Sequence, residues 1–360
     1  MEENQKSFLL GGKMKKIFYF ISLFLISMLM LNCSSYTPLI KASIDGEISK
    51  VNQLINEGSK IDESNSSGQT ALMHAAINGK LDTVKLLIDK GANINAADNN
   101  SMTSLMHAIW EQKYEVAKYL IDRGANIDIK SGRGETALHK AAIKGNEAVI
   151  KLLINKGANI NEKSKAGATP LFGAAEWNNY AAVKLLLKLK ADSNICIEDG
   201  RSPLMSAIWK NYSDIATELI NNNANVNIKD IYGYTALTAS TSNNNIEIIK
   251  LLLSKNADVN MVDIMSKQTP IFYAINNSNL EAIKLLLPKV SNINLQNKKG
   301  DTILLLASYG GNYSIVKLLL EHNADINIKA NDGQTALSIA QERGHKEIVN
   351  LLKNKSSERN

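Results

Sequence analysis

The chain has 360 residues, enough for two or three ordinary domains. Its formal charge is +6 at pH 7, and no Lys/Arg cluster interleaves with aromatic residues, which argues against a nucleic-acid surface. The two cysteines, Cys33 and Cys196, are too few for a disulfide scaffold.

The N-terminus reads apart from the rest. Lys13, Lys15 and Lys16 precede an apolar run from Ile17 to Leu31. That length is short for a comfortable membrane span and suits the apolar core of a secretory signal. Met14 is a natural start for such a signal, which leaves residues 1–13 as an upstream extension. The run ends Leu29-Met30-Leu31-Asn32-Cys33. This ending resembles the lipidation site of bacterial lipoproteins, with Asn32 where a small residue is usual. The resemblance implies export across a bacterial inner membrane, removal of residues 1–32, and a lipid on Cys33. Residues 33–36 would then be a short tether to a bilayer facing the periplasm or exterior. An ordinary cleaved signal, or an uncleaved anchor with Cys33 incidental, is the alternative. Cys196 would be the remaining thiol, and it reads as a tolerated loop residue.

From Thr37 onward one phrase returns: Thr or Ser, any residue, an aliphatic, two residues, a small residue. It begins at Thr37, Thr70, Thr103, Thr136, Thr169, Ser202, Thr235, Thr269, Thr302 and Thr335. The steps are uniform except for one extra residue between Thr235 and Thr269. A fixed period of this length predicts a stacked repeat array. It spans residues 37–353 in about ten units, followed by a frayed tail over 354–360.

Each unit predicts two helices. The Thr hydroxyl is an N-cap for the first. Pro38, Pro170, Pro203 and Pro270 follow the cap directly, at the helical position where a missing N–H costs nothing. In the second unit Leu72, Ala75 and Ala76 form the apolar face of helix one, and Gly79 ends it. Val84, Leu87 and Ile88 form the buried stripe of helix two. Gly91 then turns left-handed. The same slot holds Gly58, Gly124 and Gly157, then Asn223, Asn256 and Asn323. An Asn-Ile-Asn stretch and a glycine turn follow, read as a short extended hairpin, or finger.

The unit resembles the ankyrin repeat: the capped Thr-Pro-Leu-His-like start, paired Ala, Gly, Val-x-x-Leu-Leu, then Gly-Ala-Asn-Ile-Asn. The resemblance covers Thr37 to about Lys353. It implies an all-α solenoid of helix-turn-helix units with β-hairpin-like fingers, and a protein-binding role. His139 alone sits directly after the Leu as in that family. His74 and His107 stand one residue later, so the family's His–Thr bonding is not expected there. The eighth unit departs furthest. The extra residue falls in Ile264 to Lys267, Pro288 falls in the last turn of its second helix, and Val290 takes the left-handed slot, which a β-branched residue resists. It is expected to be the weakest unit.

The resemblance places large side chains on the family's contact surface, the concave face and the fingers, where a protein partner is expected to bind. Trp110, Trp209 and Tyr309 end first helices, and Trp177 is one residue further on. Met102, Arg201, Tyr232 and Tyr234 stand on fingers. Trp, Tyr and Arg are common interface anchors, although such residues can also cover gaps between helices. His74 and His107 lack the Cys or carboxylate partners of a metal site. Gly132-Arg133-Gly134 reads as a finger turn rather than a nucleotide loop.

No catalytic constellation, cofactor motif or small-molecule site is read from the chain. The function expected is therefore that of a non-enzymatic, membrane-anchored scaffold binding a protein partner. An immunity protein that neutralises a toxin or enzyme, and an effector acting on host proteins, are the alternatives.

Overall fold

The computed structural model describes residues 36–357. Cys33, the signal-like segment and the last three residues lie outside them. Among the described residues no helix is long and apolar enough to cross a membrane. The chain divides between Gly132 and Arg133 into two compact units, where the sequence predicts a single array.

Among the described residues the first unit holds three helix pairs, beginning with Pro38–Asp45 and Ile48–Asn56 and ending with Ser104–Trp110 and Tyr114–Asp122. The second holds seven, from Ala137–Lys144 and Glu147–Asn155 to Ala336–Glu342 and Lys346–Ser357. Within each unit first helices pack on neighbouring first helices and second helices on second helices. Each unit is thus an all-helical repeat solenoid. The core of the second repeat is the expected one but for Ile88, which is only half-buried: Leu72, Ala75, Ala76, Val84 and Leu87 are buried, and their counterparts repeat along the chain. A leucine such as Leu87 stabilises its unit by roughly 1.5–3 kcal/mol through burial.

The Thr and Ser caps form as the sequence predicts, except at Thr269, whose side chain makes no cap bond. The Thr70 hydroxyl accepts the Met73 N–H at 3.4 Å, and Ser202 accepts that of Met205 at 3.2 Å. In the fourth repeat His139 Nδ1 instead accepts the Thr136 N–H at 3.1 Å, with the Thr136 hydroxyl 2.9 Å away. Its Nε2 reaches the Ala168 carbonyl at 3.0 Å. That network fixes the Nε2–H tautomer.

The fingers are turns rather than paired strands. Among the described residues only Ser64–Thr70 and Ala97–Thr103 form β-bridges. Two backbone bonds close a finger, as from Asp230 N–H to Tyr234 O and from Gly233 N–H to Asp230 O, both at 3.0 Å. With a glycine turn of two or three residues there is no length for a ladder.

Two further differences concern the ends of second helices. Val290 is extended, with φ −72° and ψ 121°, not left-handed. Its helix, Leu280–Leu286, is two residues shorter than the nine of its neighbours and finishes in a 3-10 turn, Leu287–Lys289. Pro288 leaves no N–H for an α-helical bond, and the tighter turn spares Val290 a strained conformation. At the C-terminus, helix Lys346–Ser357 runs past Asn354, where the tail was expected to begin. Ser356 occupies the stop slot, so no Gly or Asn turns the chain out of the helix.

Candidate functional site

Finger positions are set by side-chain caps at their bases. In the seventh repeat the Asp230 carboxylate accepts the N–H groups of Tyr232 and Tyr234, both at 2.9 Å. Burial raises the Asp230 pKa, against those two bonds. In the eighth, Asp263 is buried and accepts from Ser266 Oγ at 2.7 Å, Gln268 N at 3.0 Å and Tyr273 Oη at 3.2 Å. This pocket of donors absorbs the extra loop residue, with Lys267 at φ 55°. Tyr273 belongs to the next first helix, Pro270–Asn276, so the bond ties finger to helix. Burial is the main reason its phenol pKa is raised. The same link recurs as His107 Nε2 to Asp98 at 2.9 Å and Asn65 Nδ2 to His74 Nε2 at 3.2 Å.

On this frame the second unit assembles an aromatic cluster. Trp209 ends helix Pro203–Trp209 and meets Tyr234 edge-on at 6.1 Å between centroids. Tyr234 also meets Tyr232 at 6.4 Å and Tyr273 at 6.3 Å. Three of these four were picked out in the sequence. Tyr273 was missed, because it stands in mid-helix where a core residue is expected. Edge-to-face pairs such as Trp209–Tyr234 and Tyr234–Tyr273 fix ring positions without hiding their outer faces. Trp209 is 37% exposed and Tyr232 is exposed as well.

The remaining candidates are placed separately. Trp177 caps helix Pro170–Glu176, one repeat before Trp209, and is 61% exposed. Tyr309 lies under the Arg343 guanidinium at 3.9 Å, a cation–π pair. Arg201 is held by Asp199 through Nε–Oδ2 at 2.7 Å, so its charge is already engaged. Trp110 and Met102 belong to the first unit, at the end of helix Ser104–Trp110 and on the finger before it, and both are half-buried.

Four exposed apolar residues of the fingers were not singled out in the sequence, Ile231, Val262, Ile264 and Met265, nor were Ile48, Tyr180 and Tyr313 on the helices. The signal of the finger residues was available, since turn tips normally carry Gly, Asn, Asp or Ser. Cys196 is half-buried and its thiol donates to Asn194 O at 3.4 Å. Burial, then Asp192 and Asp199, raise its pKa and keep it from forming a nucleophilic thiolate. Among the described residues no group of three or more His, Cys, Asp or Glu could hold a metal ion.

A family model of ankyrin repeats in three copies matches residues 39–131, 124–197, 189–263 and 271–360. A second, of ankyrin repeats in many copies, matches residues 243–287. A search of curated proteins finds no match. The matched segments cover most of the chain and agree with the repeat geometry, and the chain belongs to the ankyrin-repeat family.

Proposed function

We propose that this chain is a non-enzymatic scaffold, exported and held at a membrane through lipid on Cys33, that binds a protein partner with its aromatic first-helix ends and fingers. A protein–protein interaction role belongs to ankyrin repeats generally. The observation that carries the finer reading is the exposure of Trp177 beside the open Trp209–Tyr234–Tyr232 cluster. Large aromatic faces left in water are a cost that a partner relieves. Preformed repeats add little ordering cost to such docking. Export and anchoring rest on the basic-then-apolar N-terminus ending in Leu31-Asn32-Cys33.

The test is a crosslinking pull-down from native membranes with the anchored chain as bait, alongside the Trp177→Ala and Trp209→Ala variants. A protein recovered with the wild type and depleted with both variants is the expected result. Equal recovery with all three baits counts against the aromatic surface.

A further inference from the structure

The fingers of the second unit share their backbone bonds but differ at their tips. Successive tips are Lys165-Ala166, Glu198-Asp199, Ile231-Tyr232, Ile264-Met265, Lys298-Lys299 and Asn331-Asp332. Polar residues suit such turns, and nothing in the backbone requires Ile or Met there. Yet Ile264 is 66% exposed and Met265 56% exposed, with Ile231 and Tyr232 beside them. Neighbouring tips are bonded to each other. The Ile264 N–H donates to Tyr232 O at 2.9 Å, and that of Lys298 to Ser266 O at 2.8 Å. The strip is therefore continuous and preorganised: apolar over two fingers, then basic.

The basic end is uncommitted. Lys267, Lys298 and Lys299 are exposed, and among the described residues none makes an ion pair. Between the eighth and ninth fingers lies an open recess of about 330 Å³, whose lining includes Met265, Leu306, Lys298 and Lys299. Asp301 also lines it, and accepts from Asn297 Nδ2 at 3.1 Å. A bilayer could cover apolar tips flanked by lysines, but it would leave the recess unfilled. A side chain fills it. The net positive charge of the chain disfavours a second copy and favours an acidic partner.

We propose that this strip docks a protein segment whose apolar side chains cover Ile231, Tyr232, Ile264 and Met265 and whose adjoining carboxylates meet Lys267, Lys298 and Lys299. One apolar side chain enters the recess. The inference rests on the protein-binding reading above and gives that partner its chemistry.

Full-length chains carrying Met265→p-benzoylphenylalanine or, separately, Trp177→p-benzoylphenylalanine would be irradiated in the membranes of cells that express them, and the adducts mapped by mass spectrometry. The position-265 probe is expected to join a segment with an apolar run beside Asp and Glu. Combining it with Lys298→Glu and Lys299→Glu should lower adduct yield about tenfold, since both lysines change from attraction to repulsion. Melting temperature should not change, because both side chains are exposed. Lipid adducts, a segment without carboxylates, an unchanged yield after charge reversal, or no adduct at position 265 overturns the proposal. If position 265 fails and position 177 still gives a protein adduct, the broader binding reading stands. If both probes fail, that reading falls too.

Discussion

The side-chain oxygen of Asn227 accepts the backbone N–H of Asp258 at 2.9 Å, across 31 residues of sequence. The Asn227 amide also donates to Asn256 O at 3.2 Å. One side chain thus makes two bonds to the next repeat. Asn194 to Asn225, Asn260 to Ser291 and Asn294 to Asp325 repeat the first of these bonds at 2.7, 2.8 and 2.9 Å. In a solenoid, stability resides partly in such nearest-neighbour terms.

Asn227→Ala should therefore weaken coupling between repeats six and seven. Each lost bond contributes about 1 kcal/mol, so the second unit should lose roughly 1–2 kcal/mol and unfold over a broader urea range. A urea transition superimposable on the wild type's would show that the ladder carries no coupling.

The eighth repeat should open first. Its helix start lacks the side-chain cap bond that Thr70 or Ser202 makes, its second helix is short, and its finger carries the extra residue. A missing cap alone costs about 1 kcal/mol. Hydrogen exchange should find the least interior protection between Thr269 and Asn294. Exchange there as slow as over residues 136–190 would contradict this.

Much of that weakness was legible in the chain, though not its form. Thr and Pro at helix starts announce caps directly, because capping is local chemistry. Val290 could not be placed from sequence, because the chain had two ways out of an impossible left-handed turn and took the 3-10 one. The Asn residues were read as turn formers. Their bonds to the next repeat join groups 31 residues apart, which no local pattern displays. Likewise Asn146, Asn245, Asn279 and Asn312 cap second helices, as Asn146 does for the Val149 N–H at 2.7 Å. Of the aromatic cluster, the members at finger and helix-end positions were found. Tyr273 was hidden in a helix interior, and its role shows only in its bond to Asp263 and its contact with the Tyr234 ring.

Acid should destabilise the first unit through His74. The ring is 5% exposed, edge-on to Tyr36 at 5.0 Å. Burial, and then the nearby His107, lower its pKa from 6.5 to about 4. The unfolded chain takes up this proton near pH 6.5 and the folded chain only near pH 4, so stability falls as pH drops through that window. The full loss is on the order of 2–3 kcal/mol. His74→Gln removes the titration, so its melting temperature should fall less than the wild type's between pH 7 and pH 4.5. Parallel losses in both proteins would remove His74 from the account.

Lipid on Cys33 is open to a direct check. The native protein should have the mass of a chain starting at Cys33 plus acyl groups, and should enter the detergent phase. Cys33→Ala should do neither. Identical masses and identical partitioning of the two would rule the anchor out.

The central claim is that exposed aromatic side chains exist for a partner and not for the fold, and Trp177 tests it most directly. Affinity for the captured partner and melting temperature would be measured on the same Trp177→Ala protein. At 61% exposure its removal should change stability by no more than about 0.5 kcal/mol, while binding weakens by about 2 kcal/mol or more. Trp209→Ala is the internal comparison, expected to lose affinity and also about 1 kcal/mol of stability with its Tyr234 contact. A lowered melting temperature with unchanged affinity for Trp177→Ala would contradict the claim and make the tryptophan a structural residue.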